Sequence, residues 1–320
     1  MGAPPIEVRG LVKQYGEIVA VNDVDLTVEQ GDIFGYLGPN GAGKTTSLRM
    51  MLGLIRPTAG SVRIFGRDPQ VSVGALEGVA GFVEAPTFYP YMSGRANLEL
   101  YAAFDGGDGA GRIDQVLETV DLRDRAKDKV KGYSHGMRQR LGIASALLRS
   151  PRLLLLDEPT TGLDPAGMRD MRELIRDLGE RGITVLLSSH LMPEVEELCN
   201  RVAIVRSGSV AYEGSLDELR ARAGISYRLR TTDDSIARRV CEAQAGIEDV
   251  AEARPSGLHF KAPGEAAVAS LSLALAESRA PVIELTPRQA SLEQVFLQLT
   301  EGEDRAAEMA AAADEIEAPA

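Results

Sequence analysis

The chain has 320 residues, of which 44% are hydrophobic, with 35 Lys and Arg against 47 Asp and Glu for a formal net charge of −12. This length allows about two domains at roughly 100–200 residues each, with a core large enough to need no disulfide or structural metal. Two cysteines, three histidines and no Trp exclude a disulfide framework, a four-cysteine zinc site and a histidine-rich metal enzyme, and the acidic balance disfavours nucleic acid as a partner.

Residues 6–30 read as strands, because Val24, Leu26 and Val28 alternate with Asp25, Thr27 and Glu29. Gly31-Asp32 makes a turn, and Ile33 to Leu37 is a short apolar strand that runs into a glycine-rich loop. A helix follows, with Leu48, Met51, Leu52 and Ile55 on its apolar face and Arg56-Pro57 as its stop. Ser61 to Phe65 and Val79 to Val83 are further strands. Residues 92–150 read as mostly helical, with Met137 to Leu148 ending before Pro151. Leu153 to Leu156 is a continuous apolar run of strand length, the pattern of a strand buried on both faces. Met168 to Gly179 is a helix, Ile183 to Leu187 a buried strand, 193–200 a short helix and Val202 to Val205 a strand. The alternation marks an α/β fold with a largely parallel sheet. No apolar run approaches the ~18–20 residues that a membrane helix needs, and Met1 to Pro5 lacks the order of a signal peptide.

The character changes near Leu219–Gly224. Strands at Ser226 to Arg230, Leu258 to Lys261 and Val282 to Leu285 alternate with helices at Ile236 to Gln244, Glu265 to Ser278 and Leu292 to Leu299, which describes a small α+β domain over 225–300. Residues 301–320 carry seven acidic residues against Arg305 and few large apolar side chains, the composition of a disordered tail or a short frayed helix.

Gly38-Pro39-Asn40-Gly41-Ala42-Gly43-Lys44-Thr45 fits the phosphate-loop pattern between a strand and a helix. Its glycines permit successive N–H groups to turn onto one anion, and the helix adds its positive end. Lys44 can reach the β- and γ-phosphates, and the Thr45 hydroxyl can ligate Mg²⁺. Asp157 and Glu158 follow the buried strand at the edge where open α/β sheets bind ligands. Asp157 can hold Mg²⁺ through water, and Glu158 can orient or deprotonate an attacking water. The combination points to hydrolysis of ATP or GTP.

Further motifs give a family resemblance over about residues 5–220: the chain resembles the ATP-binding cassette of ABC transporters. Gly38 to Thr46 is similar to the Walker A motif, Tyr133-Ser134-His135-Gly136-Met137-Arg138-Gln139-Arg140 to the signature motif and Leu153 to Pro159 to Walker B. Thr161-Gly162-Leu163-Asp164-Pro165 resembles the D-loop and Ser188-Ser189-His190 the switch-histidine motif. The resemblance implies a P-loop cassette with a mixed-sheet core, an antiparallel β subdomain and a helical subdomain at about 86–150.

It further implies roles. ATP with Mg²⁺ would be bound by the phosphate loop, including Thr46, with Tyr15 stacking on adenine, and Lys44, Glu158 and His190 would serve hydrolysis. Thr45, Asp157 and Glu84 would meet the metal. Ser134 and Gly136 would close over the γ-phosphate held by a second copy, in a head-to-tail dimer whose interface includes His135, Met137 and Asp164. Without the neighbouring motifs, Ser134 is a plain helix cap, and His135, His259, Cys199 and Cys241 need no role beyond packing.

Two departures stand out. Glu84 occupies a position where the family usually has Gln, and the signature reads Tyr-Ser-His-Gly-Met. Both resemble the branch of bacitracin-, daunorubicin- and lantibiotic-resistance exporters, as does Pro86 to Arg95, where a permease would dock. Ser291 to Leu297 resembles the closing helix of that branch's accessory domain. The branch implies a subunit on the cytoplasmic face of the membrane that powers export through a separate polytopic permease. The rival readings are a soluble ABC-type ATPase and an ATP-driven dimerisation switch without a permease.

Overall fold

The computed structural model describes residues 2–105, 108–223, 225–253 and 256–289, together with Leu292, Val295, Phe296 and Leu299. Its chain separates into two units, Met1–Ser215 and Leu216–Ala320.

In the first unit, β1 (Ile6–Tyr15), β2 (Ile18–Val28), β3 (Ile33–Leu37), α1 (Lys44–Met51), β4 (Ala59–Ile64) and β5 (Val79–Phe82) come first. Helices α2 (Gly94–Asp105), α3 (Ile113–Thr119) and α4 (His135–Leu147) follow. Then come β6 (Leu153–Asp157), α5 (Pro165–Glu180), β7 (Thr184–Ser189), α6 (Met192–Leu198), β8 (Arg201–Arg206) and β9 (Ser209–Ser215). Two sheets result. Antiparallel β2-β1-β4 forms one, and β5-β6-β7-β3-β8-β9 the other, parallel except for β9. The sheets share a core that includes Leu26, Phe34, Tyr36, Leu48 and Leu155, all essentially inaccessible to solvent. Every residue of β6 and β7 is buried, as expected of parallel strands covered on both faces. Each fully buried Leu in them contributes about 1.5–3 kcal/mol.

The sheet order places the site. Strands β6, β7 and β3 are neighbours and run the same way, so the loops that follow them emerge together at one edge. Leu37 pairs with Ser189, and Asp157 with Ser188, so the strand ends are level.

Most expected elements form within a few residues of their predicted ends. Helix α1 stops at Met51 rather than running to Ile55, because Gly53 adopts a left-handed φ of 68° just past the cap Leu52. Helix α5 starts at Pro165, with Asp164 accepting from the Gly167 N–H at 3.0 Å as its N-cap. Strand β9 was not predicted. It pairs with β8 through a turn in which Ser207 and Gly208 both have positive φ, the geometry of a tight hairpin.

The second unit holds α7 (Leu216–Ala223), β10 (Ile225–Thr231), α8 (Asp234–Ala243), β11 (Glu248–Glu252), β12 (Leu258–Ala262), α9 (Glu265–Glu277) and β13 (Val282–Gln289). Its antiparallel sheet runs β11-β12-β10-β13. Tyr227, Leu229, Leu258 and Phe260 point into a core with Ala237, Cys241, Leu271 and Leu275 from α8 and α9. The Tyr227 and Phe260 rings stack with centroids 5.4 Å apart. Leu292, Val295 and Phe296 are buried, as their helical spacing predicts. The rest of that expected helix and the tail 301–320 lie outside the described residues. Both cysteines are buried, and burial pushes the Cys241 thiol to about 11 and Cys199 well above its ordinary value.

Candidate active site

The phosphate loop connects the end of β3 to α1. Gly38 N–H donates to the Ser189 carbonyl at 3.1 Å and Gly208 N–H to the Ala42 carbonyl at 3.2 Å, so the loop is held from both sides by neighbouring strand ends. Gly43, at φ 95°, is the last residue before α1, and a Cβ there would lie 2.3 Å from the Ala20 carbonyl oxygen. Only glycine fits that approach. Below the loop, the Tyr36 hydroxyl donates to Ser47 Oγ at 3.1 Å; burial pushes this phenol to about 12, so it stays a neutral donor.

Lys44 is only 6% exposed. Its ammonium donates to the carbonyls of Gly38 at 2.8 Å and Pro39 at 3.2 Å and lies 3.2 Å from Glu158 Oε1. Thr45 Oγ1 donates to Asp157 Oδ2 at 2.9 Å, and Ser188 Oγ donates to Asp157 Oδ1 at 2.5 Å. The Glu158 N–H donates to Ser188 Oγ at 3.0 Å. Ser188 therefore orients both carboxylate residues from the end of the adjacent strand. The sequence quotes Ser188 within the switch motif, but that hydroxyl role depends on the pairing of β6 with β7.

Glu158 has a left-handed φ of 47°, an uncommon and strained value for a residue with a side chain. The twist turns its carboxylate into the site. Oε2 accepts from Thr161 Oγ1 at 2.7 Å and faces His190 Nδ1 at 2.9 Å. Burial acts to raise the Glu158 carboxyl, but the Thr161 hydroxyl, the Lys44 charge and hydrogen bond, and His190 outweigh it and hold the group below its ordinary value. An ionised carboxylate only accepts, so Nδ1 is the protonated nitrogen of His190 and Nε2 is its other polar atom.

These contacts bring Lys44, Thr45, Asp157, Glu158 and His190 into one cluster. Glu84 joins it only through its backbone: its N–H faces Asp157 Oδ2 at 3.4 Å, while its carboxylate is turned onto Arg49. Like Glu158, it has a positive φ, here 69°. Tyr15 stands outside this hydrogen-bonded cluster, at the end of β1. It is 49% exposed, and the Lys13 ammonium lies 4.9 Å from its ring centre.

Ser134 is the N-cap of α4, its Oγ accepting from the Met137 N–H at 3.2 Å. The neighbouring His135 donates from Nε2 to the Thr161 carbonyl at 3.0 Å. This contact links the signature segment to the turn that also supports Glu158, a connection the sequence did not signal. Glu194 was missed as well. It is 2% exposed, and its carboxylate accepts from Thr160 Oγ1 at 2.7 Å and Ser189 Oγ at 2.5 Å. The stretch before α2 presents Tyr89 and Tyr91, the latter 76% exposed, with Phe88 packed edge-on to Tyr101.

The oxygens of Thr45 and Asp157 are hard ligands at one point. Mg²⁺ suits one or two such groups with phosphate oxygens and water completing its shell. Among the described residues, no group of three His, Cys, Asp or Glu could hold a metal unaided, so phosphate and water oxygens would have to supply most of its ligands.

Comparison with known proteins agrees with this arrangement. The ABC transporter family matches residues 21–161. The chain is 39% identical to the bacitracin transport ATP-binding protein BcrA of Bacillus licheniformis, over 93% of this chain and 97% of that protein. It is 35% identical to the daunorubicin/doxorubicin resistance ATP-binding protein DrrA of Streptomyces peucetius, over 97% of each. An ATP-binding cassette solved as a dimer in a post-hydrolysis state with ADP and phosphate superposes with a TM-score of 0.58 at 26% identity, covering 66% of this chain and 98% of that one.

Proposed function

Because this chain belongs to the ATP-binding subunits of ABC transporters, we propose that its ATP hydrolysis powers export of a drug, antibiotic or lipid-like compound through a separate polytopic permease. The observation that carries the reading is the convergence of Lys44, Asp157, Glu158 and His190 at one sheet edge. The export assignment is supported by the similarity to BcrA and DrrA, which extends through the second unit.

In the proposed mechanism, the loop 38–46 wraps the phosphates with its N–H groups, Lys44 balances their charge and Tyr15 stacks on adenine. Thr45 and Asp157 would hold Mg²⁺, which would neutralise phosphate charge; Glu84, expected as a further ligand, turns its carboxylate onto Arg49 and reaches Asp157 only through its backbone N–H. Glu158 is ionised and faces the Lys44 ammonium, so it can accept a proton from the attacking water. His190 keeps its Nδ1–H on Glu158, which leaves Nε2 for the γ-phosphate or the water. A second copy supplies Ser134 and Gly136 at the start of its α4, a helix N-terminus facing anionic phosphate, with His135, Met137 and Asp164 in the interface.

The subunit works on the cytoplasmic face of the membrane. No helix among the described residues is long and apolar enough to cross a membrane; in this reading the permease supplies the pathway. The exposed Tyr89 and Tyr91 are the proposed docking surface for it.

The test is a pull-down with tagged Glu158→Gln protein from native membranes in ATP and mild detergent, read by mass spectrometry. A near-equal amount of a protein with about six predicted spans is the expected result. Recovery of ribosomal or chromosomal proteins, or of the ATPase alone, would overturn the permease assignment.

A further inference from the structure

Glu194 has no part in the mechanism above, yet it is one of the most deeply buried acidic groups among the described residues. It lies in the first turn of α6, among the buried Met192, Val195 and Leu198. A carboxylate enclosed in this way costs several kcal/mol unless it is well satisfied. Among the described residues, no cation in direct contact offsets that cost. Arg172 of α5 acts on it through its field, but its guanidinium is paired with Glu197 at 2.9 Å. Packing alone would be served as well by an apolar side chain, so the feature that distinguishes Glu194 is what its two oxygens hold.

Those oxygens hold two different segments. Oε1 accepts from Thr160, two residues after Glu158 on the turn that leaves β6. Oε2 accepts from Ser189, the last residue of β7 and the one before His190. Ser189 Oγ also accepts the Leu191 N–H at 3.0 Å, so the switch loop is fixed on both sides of the histidine. Thr160 in turn takes the Leu163 N–H on its carbonyl at 3.1 Å. One buried carboxylate therefore ties the turn bearing Glu158 to the loop bearing His190, and these two side chains meet at 2.9 Å.

We propose that Glu194 is a positioning residue for ATP hydrolysis, gripping Thr160 and Ser189 so that Glu158 and His190 stay in register. The inference rests on the roles given above to Glu158 and His190. The carboxylate of Glu194 bonds to Thr160 and Ser189 rather than to loop 38–46, and the Ser189 carbonyl that accepts the Gly38 N–H is backbone, so removing the grip separates turnover from binding. A displacement of about 1 Å at reacting groups costs about 100-fold in rate.

The experiment measures kcat, KM and ATP affinity of the purified full-length chain. Glu194→Ala is expected to lower kcat about 100-fold with ATP Kd within about twofold of wild type. Glu194→Gln is expected to recover kcat to within about fivefold, since an amide offers one acceptor and one donor to hydroxyls that can serve either way. Wild-type kcat in Glu194→Ala, or equal losses in the Ala and Gln variants, would overturn the proposal. If Glu194→Ala fails to fold, Thr160→Val and Ser189→Ala are compared singly and together with Glu194→Gln. Losses in kcat that do not add are expected, and additive losses overturn the proposal. Glu158→Gln and His190→Ala run in parallel. Turnover retained in both would overturn the hydrolytic pair and this inference with it. Turnover lost in both but kept in Glu194→Ala would overturn this inference alone.

Discussion

Gly43→Ala places one methyl group at the tightest point of the phosphate loop. The residue has φ 95°, and the new Cβ would sit 2.3 Å from the Ala20 carbonyl oxygen. A left-handed backbone costs an L-residue about 1–2 kcal/mol. The clash adds to this, because backbone atoms on both sides must separate by about 1 Å to reach ordinary contact, at a cost of about 1–3 kcal/mol. The sum is about 2–5 kcal/mol. Gly41→Ala is the control: its φ is 82°, but nothing lies within 4 Å of the added Cβ, so only the backbone cost remains. At about 2–4 °C per kcal/mol for a domain of this size, Gly41→Ala is expected to lower Tm by about 2–8 °C and Gly43→Ala by about 4–20 °C. Thermal unfolding without nucleotide reads this difference before ATP contacts enter. Titration with a fluorescent ATP analogue then follows whether the displaced loop still binds. Equal Tm losses in the two variants would refute the argument that the Ala20 carbonyl dictates glycine at position 43.

Other expected outcomes follow from the same contacts. Lys44→Ala removes the ammonium from the phosphate loop and from Glu158 and is expected to abolish tight ATP binding; unchanged affinity by isothermal titration would sink the phosphate-loop assignment. Glu84→Gln is expected to leave ATP affinity intact and alter the hydrolysis rate, because the lost partner of Arg49 is an exposed pair of about 0–1 kcal/mol. A collapse in affinity would make Glu84 a structural residue instead. The Glu194 carboxyl is held above its ordinary value by burial, partly offset by the Ser189 and Thr160 hydroxyls and Arg172. The folded state therefore binds this proton more tightly than the unfolded chain, and stability from this group falls as pH rises through that window. Glu194→Gln carries no such loss, so its Tm relative to wild type is expected to climb with pH above the ordinary carboxylate range; a constant or shrinking difference would contradict the burial argument.

The readable parts of the sequence were those with a local cause. The phosphate loop declares itself through glycines between a strand and a helix, and Leu153 to Leu156 through an unbroken apolar run that ends in two acids. Strand β11 carries no such signal. Its sequence Glu-Asp-Val-Ala-Glu is acidic and largely exposed at a sheet edge, where pairing with β12 and not burial makes it a strand. Strand β9 is less hidden, since Ser207-Gly208 is a fair hairpin turn. In the site, Glu158 and His190 could be named as residue types, but their 2.9 Å contact spans 32 positions and depends on β6 lying beside β7. The same is true of Arg49 on Glu84, His135 on the Thr161 carbonyl, and the two hydroxyls on Glu194. Apart from Ser189 and Glu194, which are five positions apart, no short window of sequence contains both partners of these contacts.

The order of strands in the larger sheet bears on when the protein becomes competent during synthesis. Strand β7 is made after β3 and β6 but lies between them. Until about residue 189 has left the ribosome, the nascent chain has a phosphate loop and its carboxylates but no spacer to set their separation. The Thr45–Asp157 bond, at the proposed metal position, cannot close at its 2.9 Å length across a missing strand. ATP can therefore stabilise this fold only late, after a central strand has inserted between two earlier ones. A chain halted near residue 160 would expose the short apolar edges of β3 and β6 to chaperones or to other chains.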